Sequence, residues 1–290
     1  MPQWTPATIT AVLWALVPLL AFGFAGKRCS ALAQKLPLPP RLAVPAIFGV
    51  PYLLAGNTYA RGNWLVLYFG LPVLVAVLLW RASTFDPVQH GDWRDFAILL
   101  VLGLAVDLRW LDPAWPPHLA ALGKLILLDA ALYGFLAVRQ LTDVGFDLRF
   151  RKKDFQIGFR ELIFYAPFAI VMGFVLGFLH LRLRLPSPGS AAITVLFTFL
   201  FIAIPEEIFF RGWIQNLLER RMSRTYALLV TAVIFGLSHF NKRATHFNWR
   251  YVLLATIAGI FYGRAWCEQH RVAASAIVHT SVDTIWSFWL

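Results

Sequence analysis

The sequence predicts an all-α polytopic membrane bundle of about 8–10 transmembrane helices, and three observations carry that prediction. Of 290 residues, 59% are hydrophobic and only 14% are charged, whereas soluble domains carry roughly 25% charged residues. Apolar runs approaching the roughly 20 residues that cross a bilayer recur along the whole chain. Nothing between them is long and polar enough to form an independent soluble domain of the usual ~50 residues or more. A reactive centre in such a chain has to be assembled from the spans and their ends.

Spans are expected near 7–26, 42–58, 63–80, 95–110, 117–138, 161–180, 190–210, 225–240, 250–268 and 272–289. The first reads as a retained span, because no basic residue precedes its apolar run while Lys27 and Arg28 follow it, the reverse of a signal peptide. Pro45 and Pro51 interrupt the second, and the fourth is short and ends in Asp107 and Arg109. Residues 1–145 are expected to be accessory N-terminal spans and 146–290 the reactive domain.

The net charge of +11 comes from basic residues scattered over short connections. They form no dense patch or recognisable module, so nucleic acid is not an expected partner. Topology accounts for them instead. Loops 27–41, 81–94, 139–160, 211–224 and 264–271 hold 18 Lys and Arg, the alternate loops hold 7, and Lys124 lies inside a span. That bias places the first set in the cytoplasm and the N-terminus outside, as in a protein of the bacterial cytoplasmic membrane. In the richest loop, from Phe146 to Phe155, aromatic and basic residues interleave, as in a segment lying against anionic membrane lipids. A plain stop-transfer flank has the same composition. Cys29 and Cys267 are too few and too far apart for a disulfide framework or a cysteine-based zinc site.

Ionisable groups inside spans are costly and therefore functional candidates. They come in three groups. In Ile204-Pro-Glu-Glu-Ile-Phe-Phe-Arg-Gly212, Pro205 fits the first turn of a helix, where the dipole favours carboxylates. Glu207 and Arg211 are four apart, the spacing that pairs side chains on one face. Glu206 points about 100° away and is left as an unpaired carboxylate, suited to act as a general base. A buried salt bridge at a span end would use the same residues. The second group is Phe235-Gly-Leu-Ser-His239, whose histidine also suits a hydrogen-bonded interfacial position. The third, His279-Thr-Ser-Val-Asp283, puts imidazole and carboxylate on one face of the last span, either as a helix-stabilising pair or as part of a site. Because each group carries its own insertion cost, the three together suggest one shared polar cavity.

The set Glu-Glu-x-x-Phe-Arg-Gly, Phe-x-x-x-His and His-x-x-x-Asp resembles the signature of the CPBP intramembrane proteases, a family that includes CAAX prenyl endopeptidases and bacteriocin-processing, or Abi, proteins. The resemblance covers roughly residues 150–290. It implies a glutamic intramembrane endopeptidase in which water attacks the peptide bond of a membrane-associated or lipidated substrate, with no cofactor. By position, Glu206 resembles the activating base and His239 its partner in holding the water. Glu207 and Arg211 resemble the supporting ion pair, and His279 with Asp283 the oxyanion-stabilising group. The well-studied CAAX enzymes carry Asn where this chain has Asp283, and an ionised Asp has no proton to donate. The preferred reading is that Asp283 orients His279, whose N–H then donates, as the carboxylate does in catalytic triads. Two other readings use the same residues: a zinc-dependent membrane protease, and a non-catalytic proton-coupled transporter or membrane chaperone. Against zinc stand the missing His-Glu-x-x-His helix and the scattering of the ligands. Against transport stands the lack of inverted-repeat symmetry.

Overall fold

The computed structural model describes residues 5–56, 62–181, 186–242 and 246–289, which hold ten helices and no strand. Six of the ten helices are long and apolar enough to cross a membrane. The protein is thus an integral, multi-pass membrane protein with an all-α fold. The chain separates into two compact units, residues 1–142 and 143–290.

In the first unit, α1 (Pro6–Lys35) starts where Thr5 Oγ1 accepts a hydrogen bond from the amide of Thr8 at 3.1 Å. Helix α2 (Leu38–Ala55) tightens to 3₁₀ geometry over Val44–Gly49, where Pro45 and Pro51 remove amide donors. Helix α3 (Gly62–Phe85) follows. Helix α4 (Trp93–Asp107) has only 15 residues and begins with a capping box between Asp92 and Asp95. The most enclosed helix is α5 (Pro117–Val138). Near it Tyr52 stacks on Tyr68 at 4.5 Å, and Trp115 Nε1 donates to Tyr68 Oη at 2.5 Å.

The second unit contains α6 (Lys152–Val175), α7 (Pro188–Glu219), α8 (Arg224–Leu237), α9 (Trp249–Gln269) and α10 (Val272–Trp289). Small residues let these backbones close on one another. A Cβ on Gly236 of α8 would stand 2.6 Å from the Val252 carbonyl of α9, and one on Gly259 would stand 3.1 Å from Ala232 Cα. Ahead of α6, Gly145 adopts φ +74°, and its carbonyl accepts the Val272 amide at 3.0 Å, tying the approach segment to the start of α10. Arg271 anchors the same place through Asp154 at 2.7 Å and the Arg149 carbonyl at 2.9 Å. On α6, Phe164, Phe168, Val171 and Val175 face outward, an apolar stripe of the kind lipid covers.

Helix α7 corrects one expectation. Pro205 lies not in a first turn but seventeen residues into a continuous helix. Inside a helix, proline removes one amide donor and its ring crowds the carbonyl four residues earlier. The backbone accommodates this by widening to π geometry over Phe199–Ala203, just ahead of the proline, and again over Ile208–Gln215. The two glutamates thus sit mid-helix between two widened turns, and the helix dipole has no part in holding them.

Candidate active site

The three ionisable groups converge within the second unit. Glu207 and Arg211 are wholly buried, and Arg211 Nε donates to Glu207 Oε2 at 3.0 Å. The other carboxylate oxygen, Oε1, lies 2.8 Å from His279 Nδ1. The Ser275 hydroxyl is in hydrogen-bond contact with Glu207 Oε2 and also lies 2.9 Å from the Tyr262 carbonyl, one hydrogen facing two acceptors. Tyr262 stacks on the His279 ring with centroids 4.6 Å apart and planes 19° apart. Phe235 meets that ring edge-on and lies under the Arg211 guanidinium at 5.2 Å. The imidazole is therefore fixed from three sides.

On the far edge of that ring, His279 Nε2 faces two carboxylates, Asp283 Oδ2 at 3.6 Å and Glu206 Oε2 at 3.9 Å. The ring is thus held from both edges, by Glu207 at Nδ1 and by Asp283 near Nε2. Of the two carboxylates at Nε2, Asp283 makes the shorter contact, an i, i+4 ion pair on α10. The i, i+4 pairing of Glu207 with Arg211 turns the Glu207 carboxylate into the core.

Glu206 is also not isolated. Lys242 Nζ lies 3.7 Å from Glu206 Oε1 and 3.3 Å from His239 Nε2. The other nitrogen of His239 lies 2.8 Å from the Phe235 carbonyl, an acceptor, so Nδ1 carries the proton and Nε2 presents a lone pair. Glu206 and His239 thus face one ammonium group. Sequence alone missed Lys242, Ser275 and Tyr262. Ser275 lies four residues before His279, the one-face spacing, so it was findable; Lys242 sits in a connection, and Tyr262 is one aromatic among many.

Beside these groups a cleft runs between α6, α8, α9 and α10. His239, His279 and Asp283 line it, and the rest of its wall is largely aliphatic and aromatic. Glu206 is not among the lining residues and is 26% exposed at its side chain. Among the described residues, no group of three His, Cys, Asp or Glu side chains is placed to hold a metal ion.

The fold and this polar cluster define a membrane-embedded helical protein with ionisable side chains gathered inside its second unit. Residues 188–285 match the family model described as Rce1-like, type II CAAX prenyl endopeptidase Rce1-like. That segment, which runs from the first turn of α7 into α10 and contains all three motifs, is similar to the family the motifs resembled. No curated protein and no solved structure matches the chain.

Proposed function

We propose that the protein is a glutamic intramembrane endopeptidase. The observation that carries this reading is the convergence of three helical segments, with His239 and His279 lining one cleft and Glu206 3.9 Å from His279. Water held between Glu206 and the His239 Nε2 lone pair gives a proton to the Glu206 carboxylate while its oxygen bonds to the scissile carbonyl carbon. The carbonyl electron pair moves onto oxygen, and His279 stabilises it. Since Nδ1 faces Glu207, donation from Nε2 requires a proton on each ring nitrogen. Collapse of the tetrahedral species breaks the C–N bond, and the departing amine takes the proton back from Glu206. Lys242 reaches the same two atoms as the water, so a bound water shares or replaces its contact.

The substrate class is a membrane-associated or lipidated peptide, since the cleft wall is apolar and lies among helices that lipid surrounds. The cytoplasmic membrane, with the N-terminus outside, is the proposed location, with residues 1–145 accessory to the protease domain. The reading needs no metal.

Glu206→Gln should lower turnover by about 10²–10⁴-fold, the usual contribution of a general base, with the melting temperature in detergent unchanged. Turnover near that of the parent would remove Glu206 from the mechanism. Parent enzyme should also keep its activity after exhaustive chelation by EDTA and phenanthroline. Activity lost there and restored by zinc alone would replace this mechanism with a metal-assisted one.

A further inference from the structure

We infer that Lys242 is a further catalytic residue, whose ammonium group donates to the scissile carbonyl oxygen as negative charge gathers there. This rests on the protease reading above and deepens it with a residue that lies outside all three motifs. Lys242 Nζ lies 3.3 Å from His239 Nε2 and 3.7 Å from Glu206 Oε1. An ammonium group has three N–H donors and no acceptor. His239 and Glu206 can occupy two of them, and among the described residues Nζ has no other partner.

The turn that follows α8 holds this lysine in place. Its amide donates to the His239 carbonyl at 3.2 Å, and its own carbonyl accepts from the Asn248 side chain at 3.1 Å. The Asn248 amide donates to the Phe240 carbonyl at 2.8 Å, which closes the turn. The backbone is thus fixed while the side chain remains open, 35% exposed beside a Glu206 side chain that is 26% exposed. Both histidines, by contrast, are buried, and Arg211 is wholly buried and bonded to Glu207. Of the lysine and the arginine in this cluster, Lys242 is therefore the one that a bound peptide can touch.

The movement of charge assigns its role. Before reaction Glu206 bears the negative charge and Lys242 pairs with it. As the water oxygen bonds to the carbonyl carbon, the water proton passes to Glu206 and the carbonyl π pair moves onto oxygen. Glu206 is then neutral, and the charge sits on an oxygen bound to the same carbon as the former water. A cation in contact with both groups that hold the water is within reach of that oxygen and follows the charge to it. Lys242 stands at Oε1 of Glu206 and His279 at Oε2, so the two flank the carboxylate from which the charge departs. His279 donates from Nε2 only with both ring nitrogens protonated, a condition the ammonium does not share. When the C–N bond breaks, the C=O bond re-forms, the amine takes the proton from Glu206, and Lys242 returns to the restored carboxylate.

The test uses the full chain in nanodiscs, a quenched-fluorescent lipidated peptide, and a phosphinic analogue in which a tetrahedral phosphinate replaces the bond that the parent cuts. Lys242→Met should lower kcat by about 10²–10³-fold, the usual value of one oxyanion donor, with KM nearly unchanged. Its affinity for the phosphinate should fall by the same factor as kcat/KM, because the analogue resembles the tetrahedral species. Lys242→Cys should be as slow and should recover most of the rate on aminoethylation with bromoethylamine, which rebuilds the ammonium, but none on alkylation with iodoacetamide. Parent enzyme treated alike controls for Cys29 and Cys267. No cleavage by the parent sinks the protease reading and this inference with it, whereas parent cleavage that Lys242→Met leaves at full rate sinks this inference alone. Faster turnover in Lys242→Met would show that the ammonium merely occupies the place of the water. Weaker binding of peptide and phosphinate by one common factor, or failure of aminoethylation to restore Lys242→Cys, would show a structural part only. Each of these results overturns the inference.

Discussion

At His279 the identity of each neighbour has a mechanistic consequence. Glu207 holds Nδ1 from the other edge, so Asp283 shares the orienting of the ring and adds a negative charge 3.6 Å from Nε2. Asp283→Asn keeps the shape and removes the charge, so it should keep measurable activity, with a loss of tenfold or less, and its amide adds a donor beside the oxyanion. His279→Ala removes the donor itself and should lose about 10²–10³-fold, the usual value of one oxyanion contact. Both variants are measured on one peptide substrate. A dead Asp283→Asn beside an active His279→Ala would show that Asp283 moves a proton and that the oxyanion role sits elsewhere. The sequence exposed Glu206, Glu207, Arg211, His239, His279 and Asp283 because charge is conspicuous inside apolar runs. It did not expose the pairing between helices. A spacing of four brings Asp283 to His279, and only the rotation of α7 against α10 brings Glu207 to the other ring nitrogen.

The element that sets this arrangement is α7. Apolar periodicity marks it as a span, but the two π-helical stretches that flank Pro205 leave no signature that separates them from ordinary helix, which is why the proline reads from sequence as a helix start. Arg211 is the sensitive point of the element. It is wholly buried, its Nη1 and Nη2 have no hydrogen-bond partner among the described residues, and its stabilisation comes from Glu207 and the face of Phe235. Arg211→Met fills the same space yet leaves the Glu207 carboxylate without its principal countercharge, a change that costs about 3–5 kcal/mol when one partner of a buried pair is removed. The variant should melt lower and lose activity in the same proportion. A parent-like melting curve with activity abolished would instead place Arg211 in contact with substrate.

Over the whole molecule, each unit carries an arginine–carboxylate knot at the ends of its helices, and in each knot an aspartate in a connection is held below its ordinary value. In the first unit Arg139, almost wholly buried, bonds Asp86 at 2.6 Å and Asp95 at 3.1 Å. In the second, Arg271 bonds Asp154 at 2.7 Å and meets Asp147 at 3.5 Å, and Asp147 also takes the Arg149 side chain at 2.9 Å. Partial burial works to raise the Asp86 carboxyl, but the amides of His90 and Gly91 and the Arg139 guanidinium outweigh it and hold the group below its ordinary value of 3.8. Burial likewise opposes, and Arg149 and Arg271 outweigh it, at Asp147, which is also held below 3.8. A carboxyl depressed in the folded state stabilises it at any pH above the unfolded value, and that contribution disappears as pH falls through the folded value. Melting temperature should therefore be level from neutrality down to about pH 5, since ordinary aspartates titrate near 3.9, and then drop steeply under acid. Asp86→Asn and Asp147→Asn should each melt lower than the parent at pH 7, and each gap should close as pH approaches 3. A gap of constant size from pH 7 to pH 3 would mean that these aspartates act through packing and hydrogen-bond geometry rather than charge, and that the acid sensitivity of the protein originates in groups within the spans.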